Sequence, residues 1–185
     1  MPLGAQIEKT LDHIISDLKQ SAAAVRWVAP NNIHLTLRFL GDTDPTRVGE
    51  LKALMDETAK HHTTVQTRID LLSAFPNLKR PRIFWAGCSD REVTGRLCEL
   101  ADCVEQEIQK LGFEPANKLF KPHLTLGRVK RPDNLDRLVA TVGQYDLPTL
   151  DLYLDKMVLF RSTLTSDGPI YSRLHEASLS DGRFE

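Results

Sequence analysis

The chain has 185 residues, 24 basic and 25 acidic side chains, and 41% hydrophobic content; this suits one domain, or two small lobes sharing a core, that bury roughly 70% of the unfolded surface without staples. Ten glycines and ten prolines, with 26% charged residues, exclude collagen-like, low-complexity and disordered classes. A net charge of −1 supplies no global field for nucleic acid or an anionic membrane, so an anion site has to be built by local clustering.

Ile7, Leu11, Ile14, Ile15 and Leu18 recur at helical spacing and predict an amphipathic helix over 6–20. Val25 to Ala29 and Ile33 to Leu40 read as two strands around a Pro30-Asn31-Asn32 turn, a hairpin pattern. Asp44 before Pro45 is an N-cap with proline at the first helical position, and Val48, Leu51, Met55 and Thr58 give a second helix ending near His61. Residues 64–75 and 82–89 are β-branched and aromatic around the basic loop Pro76 to Pro81, a second hairpin. A long helix carries Val93, Leu97, Leu100, Ala101, Val104, Ile108 and Leu111, with Gly112 at its C-terminal cap. Strand Pro122 to Val129, a short helix on Leu135, Leu138, Val139 and Val142, and strands near 150–161 and 169–178 follow; from Ser180 the chain reads as a polar tail. Hairpins between helices favour an α+β fold with antiparallel sheets over a doubly wound parallel sheet.

Cys88, Cys98 and Cys103 are odd in number and lack metal-ligand spacing, so they read as buried small hydrophobes in a reducing compartment. No apolar run reaches membrane-spanning length, and Asp12, His13, Asp17 and Lys19 break any signal-peptide core. A cytoplasmic monomer that engages no membrane is the expectation. No glycine-rich phosphate-binding loop occurs, and no cofactor is implied.

The informative feature is a duplication: His34-Leu35-Thr36-Leu37 recurs as His123-Leu124-Thr125-Leu126, about ninety residues later. Alternation puts His34 and Thr36 on one strand face and Ile33, Leu35, Leu37 and Phe39 on the other, core-facing one; His123 and Thr125 pair likewise. Two imidazoles titrating near neutrality can serve as base and acid, and two hydroxyls can hold oxygens. Displacement at phosphorus needs that set: deprotonation of the attacking oxygen, protonation of the leaving one, and donors to the non-bridging oxygens. A single such tetrapeptide would read as a surface histidine beside a strand-forming threonine; two identical copies outweigh that reading. A His/His metal site lacks a third ligand, since only Asp42 lies near one copy.

The paired H-x-T-x motifs resemble those of the 2H phosphoesterase superfamily, specifically the RNA 2′,3′-cyclic phosphodiesterases, also called LigT-like proteins or 2′-5′ RNA ligases. The likeness extends over Val25-Arg26-Trp27-Val28, Asn32 to Gly41, Phe75-Pro76, Pro81 to Gly87, Phe120 to Val129, Ser162-Thr163-Leu164 and Gly168 to Tyr171. It implies a single bilobal domain over 1–179, with two antiparallel sheets related by a pseudo-twofold and a cleft between them. It also implies metal-independent hydrolysis of an RNA-terminal or nucleoside 2′,3′-cyclic phosphate to a 2′-phosphate, reversible as 2′-5′ ligation. On the resemblance His34 is the acid to the leaving 3′ oxygen, His123 the base to water, Thr36 and Thr125 hold the non-bridging oxygens, and Arg128 contacts phosphate. An RNA-end binding module with little turnover, or a related phosphodiesterase for another nucleotide, are the alternatives.

Two features depart from the family pattern. An opening strand of the type Arg-x-Phe-Ile-Ala is not seen, because Met1-Pro2-Leu3-Gly4 leads straight into the first helix; either the start is misassigned, the chain is truncated, or another segment fills the gap in the sheet. Strict alternation also places Arg128 opposite His123 and Thr125, and a bulge or strand end at Gly127 is required to return it. Basic clusters at Lys79, Arg80 and Arg82 and at Arg128, Lys130 and Arg131 suit RNA steering and solvated loops equally. Phe75 and Phe120 read as core more readily than as base platforms, as do Trp27 and Trp85, and His13, His61, His62 and His175 read as surface residues.

Overall fold

The structure, a computed structural model, describes residues 1–88, 94–165 and 168–180. Helix α1 (Ala5–Lys19) buries the expected stripe of Leu11, Ile14, Ile15 and Leu18. Strand β1 (Val25–Trp27) ends before a 3₁₀ turn at Pro30–Asn32. Asp44 accepts a hydrogen bond from the Thr46 backbone and starts a short turn that passes into α2 (Val48–Lys60). Strands β2 (Val65–Ile69), β3 (Leu71–Phe75) and β4 (Ile83–Gly87) precede helix α3 (Gly95–Lys110), after which Gly112 turns at positive φ. Strand β5 (Leu124–Val129), helix α4 (Leu135–Gln144) and strands β6 (Leu150–Leu154), β7 (Lys156–Thr165) and β8 (Gly168–Ser178) complete the order.

The expected α+β architecture of antiparallel sheets flanked by helices is present. The largest sheet runs β1-β5-β4-β3, while β2 pairs with β6 and β7 with β8. The chain is two repeats of one pattern. Helix α1, the first motif, α2, β2, β3 and β4 correspond in order to α3, β5, α4, β6, β7 and β8. The repeats interlock: β4 pairs with β5, β2 with β6, and Leu35 of the first motif bridges Leu124 of the second. Helix α2 lies against β7 and β8, and α4 against β3, so each repeat also lends a helix to the other's strands. One core results, with Phe84, Leu97, Leu100, Leu124, Leu126, Leu138 and Leu154 fully buried.

Several sequence expectations change. Val25–Ala29 and Ile33–Leu40 do not form a hairpin: β1 pairs with the far end of β5, and after the 3₁₀ turn Leu35 meets the near end of the same strand. Only Leu35 of the second segment sits in a ladder, and Phe39, expected in the core, is 75% exposed because the chain bends away at Leu37. The outer edge of that segment is met by Met1, whose amine donates to the Leu35 carbonyl at 2.7 Å and whose carbonyl accepts from the Leu35 N–H at 3.0 Å. Burial pushes the Met1 amine down to about 5. The runs 64–75 and 150–161 each break at an aspartate, Asp70 and Asp155, into two strands that enter different sheets. The cysteines are half-buried and form no disulfide with one another. Ser180 is no loose tail, since its backbone pairs with His62 and Thr64, and 181–185 lie outside the described residues, as does Val93. Among the described residues no helix is long and apolar enough to cross a membrane.

Candidate active site

Leu35 and Leu124 stand at the centre of the two motifs and are both core residues, 3% and 1% exposed. Their antiparallel bridge dictates what flanks it. One residue either way, His34 falls across from Thr125 and Thr36 across from His123, so each imidazole has the other motif's hydroxyl as its neighbour. The two histidines are then diagonal neighbours, about 7–8 Å apart at the backbone. Burying the leucines turns the histidines and threonines to the opposite, open face.

The ring orientation is the same in both copies. His34 Nδ1 lies 2.8 Å from the Asn32 carbonyl, and His123 Nδ1 lies 2.6 Å from the Lys121 carbonyl, two residues upstream in each case. A carbonyl only accepts, so each Nδ1 carries the hydrogen and Nε2 is the atom left to give or take a proton. Burial pushes His34 below the ordinary imidazole value, against the opposing effect of the Asn32 carbonyl. Burial does the same to His123, where the nearby charges of Lys121 and Arg128 add to the depression. Both rings therefore favour the neutral form in the free protein, His123 with two cations beside it.

Each imidazole also leans on two aromatic rings. Around His123, Phe75 makes an edge contact at 4.9 Å and Trp85 one at 6.4 Å, and these two rings stack on each other at 5.1 Å. Around His34, Tyr171 makes an edge contact at 5.0 Å and Phe160 lies at 5.9 Å, with the two in contact at 5.8 Å. Phe75 and Trp85 belong to β3 and β4; Phe160 and Tyr171 occupy the matching strands β7 and β8. Trp85 is only 3% exposed, yet its place is beside the histidine and under the Lys121 ammonium, which sits 5.0 Å above its ring. Phe75 likewise belongs to this face and not to the core, whereas Phe120 packs against the core as expected. The Phe160/Tyr171 pair escaped sequence reasoning; the near-identical spacing of Phe75 to Trp85 and Phe160 to Tyr171 is the signal that a repeat-against-repeat comparison would have found.

Arg128 reaches this face through a bulge. Ile83 pairs with Arg128 and Phe84 with Gly127, but Trp85 pairs with Thr125, so Leu126 has no residue opposite it on β4. Ile83 and Trp85 are two apart on a regular strand and share a face; Thr125 and Arg128 therefore share that face although they are three apart. Glycine is required beside the bulge: a Cβ on Gly127 would meet Val25 Cγ1 at 2.6 Å and Trp27 Cε3 at 2.8 Å. Arg128 is exposed, whereas Thr36 is exposed and Thr125 half-buried. Of the basic clusters, Arg131 is tied to Asp133. His175, expected on the surface, is half-buried against Asp56 at 2.7 Å. Among the described residues no three His, Cys, Asp or Glu side chains converge as metal ligands.

A family model described as LigT like phosphoesterase matches residues 2–85 and 88–171, the two structural repeats. The chain is similar to an RNA 2′,3′-cyclic phosphodiesterase of Thermotoga maritima, 32% identical over 178 residues, 96% of this chain and 91% of that protein. A protein of the same name from Aquifex aeolicus is 36% identical over 154 residues, 82% of this chain and 80% of that one. Among solved structures, TT0787 of Thermus thermophilus matches with a TM-score of 0.78 at 26% identity, covering 98% of this chain and 96% of that one. Apo LigT of E. coli shares the fold, with a TM-score of 0.75 at 22% identity over 96% of this chain and 93% of that one.

Proposed function

The chain belongs to the LigT-like phosphoesterase family, and from that premise we propose that it hydrolyses the 2′,3′-cyclic phosphate of an RNA 3′ end, or of a nucleoside, to a 2′-phosphate. The observation that carries the proposal is the mirrored environment of the two histidines, each with Nδ1 held by a carbonyl two residues upstream and Nε2 left for chemistry. His123 is the base: Lys121 and Arg128 beside it favour the neutral ring, so its Nε2 takes a proton from water as the water oxygen bonds to phosphorus. His34 is the acid: the P–O3′ bond breaks and the His34 Nε2 proton goes to the leaving oxygen. Beside burial, only the charge of the Met1 amine disfavours its protonated form, against two cations at His123, and the anionic phosphate bound next to it favours that form.

Thr36 and Thr125 donate to the non-bridging oxygens, and Arg128 supplies the charge that balances them as the attacking and leaving oxygens share the phosphorus. The aromatic pairs exclude water behind each imidazole and limit its rotation. Every proton has a donor and an acceptor among these side chains, so the scheme runs without a metal ion. Run in the same direction with an RNA 5′-hydroxyl in place of water, the 5′ oxygen bonds to phosphorus as P–O3′ breaks, and the two ends are joined through a 2′-5′ linkage. The test is incubation with 2′,3′-cyclic AMP and a short RNA ending in a cyclic phosphate, in excess EDTA, with the product isomer identified by chromatography. The 2′-phosphate is expected; RNA bound without product would instead support the end-binding reading, and the 3′-phosphate would reverse the assigned leaving group.

A further inference from the structure

Arg26 lies directly opposite Arg128 in the β1–β5 ladder. Directly opposed residues of an antiparallel pair share a face with Cβ atoms about 4.5–5.5 Å apart, and like charges so placed destabilise the sheet. Guanidinium stays charged at any physiological pH, so titration gives no relief. Carboxylates give none either: neither guanidinium has a hydrogen bond or ion pair with any described residue, whereas Arg38, Arg47, Arg131 and Arg173 bond to Glu105, Glu50, Asp133 and Glu176. Because Arg128 shares the face of Thr125, Arg26 does too. Two unneutralised guanidinium forks therefore stand side by side at the end of the row that carries the candidate catalytic groups.

A 2′,3′-cyclic phosphate carries one negative charge, and its two free oxygens already have Thr36, Thr125 and Arg128. Of the two guanidiniums, Arg26 is left over. We infer that Arg26 binds the phosphate on the 5′ side of the terminal nucleoside, next to the reacting phosphate on Arg128, which makes oligonucleotide ends and not mononucleosides the preferred substrate. The inference rests on the phosphodiesterase reading above and adds its substrate class. Guanidinium suits the role because its planar fork matches two phosphate oxygens at once.

The test compares three substrates: 2′,3′-cyclic AMP, the same nucleotide with a 5′-phosphate, and a dinucleotide ending in the cyclic phosphate. In the parent protein kcat/KM rises from the first to the second and third. Arg26→Ala lowers the ratio of dinucleotide to mononucleotide kcat/KM on the order of tenfold at low salt, the loss expected of one charge-assisted contact. The slope of log kcat/KM for the dinucleotide against log salt becomes shallower by roughly 0.7, one single-strand phosphate contact, and Arg26→Lys recovers part of both effects. The melting midpoint of Arg26→Ala stays level or rises, as relief of a like-charge pair requires. A ratio that does not move, or an equal loss on all three substrates, overturns the inference. A parent that hydrolyses none of them refutes the phosphodiesterase reading instead; the inference is then decided by dinucleotide affinity, which must fall in Arg26→Ala or the inference fails with it.

Discussion

At the residue scale the proposed chemistry depends on two imidazoles whose Nδ1 atoms are held by carbonyls, leaving Nε2 for proton transfer. Both are depressed below the ordinary value of about 6.5, mainly by burial. In kcat/KM, which reports the free protein, the acid limb follows protonation of His123 and the alkaline limb deprotonation of His34. With both values lowered, the optimum of kcat/KM for 2′,3′-cyclic AMP falls on the acid side of 6.5, and an optimum above 7 would contradict these environments. The bound phosphate anion raises His34, so the alkaline limb of kcat lies at higher pH than that of kcat/KM. The same depression has a consequence for stability: the unfolded chain takes up protons before the folded one, so folding free energy is lost as pH falls from 6.5 towards the folded-state values. A denaturation series across that window checks the sign. Residues with this chemistry were legible because the tetrapeptide is duplicated; their aromatic supports were not, because Phe75 and Trp85 have the same apolar character as core residues.

At the element scale, the site depends on one bridge and one bulge. Leu35 is the only ladder residue of its segment, buried between Met1 and Leu124. Leu35→Ala should cost about 2–5 kcal/mol in chemical denaturation, the usual range for a buried leucine, and should lower activity further by loosening the register between His34 and Thr125. Gly127→Ala sets a Cβ into Val25 and Trp27; overpacking of this kind costs about 1–3 kcal/mol. It should also displace β1 and with it the Arg26–Arg128 pair, so dinucleotide turnover should fall more than mononucleotide turnover. Equal stability of Gly127→Ala and the parent would show that the close approach is not present in solution. The bulge was visible in the sequence only as a misfit, an arginine three residues after a threonine whose face it had to share. The false hairpin had no such warning: Pro30-Asn31-Asn32 marks a turn, but nothing local says that both flanking segments meet β5 and not each other. The breaks at Asp70 and Asp155 were hidden for a similar reason, since apolar alternation continues across both.

At the scale of the whole molecule, neither repeat can bury its own strands. Strands β2 and β6 pair across the repeats, β5 sits between β1 and β4, and α2 and α4 pack on strands of the other half. Unfolding should therefore be one cooperative transition, with near- and far-ultraviolet circular dichroism superimposing; separate transitions for the two halves would contradict the interlocked core. Composition, helix stripes and turn signals made the α+β class legible, and the family resemblance carried by the repeated tetrapeptide implied a twofold relation. The exchange of strands and helices between repeats was not legible, because pairing over such sequence separations leaves no local periodicity. The central claim, that His123 is the base and His34 the acid of one metal-free reaction, is tested most directly by the pH dependence of kcat/KM on 2′,3′-cyclic AMP in EDTA for the parent, His34→Ala and His123→Ala. The account predicts a bell for the parent and losses of about 10²–10⁴ in each variant, with the acid limb gone from the residual rate of His123→Ala and the alkaline limb gone from that of His34→Ala. A variant that keeps the parental rate, or that keeps both limbs, would contradict it.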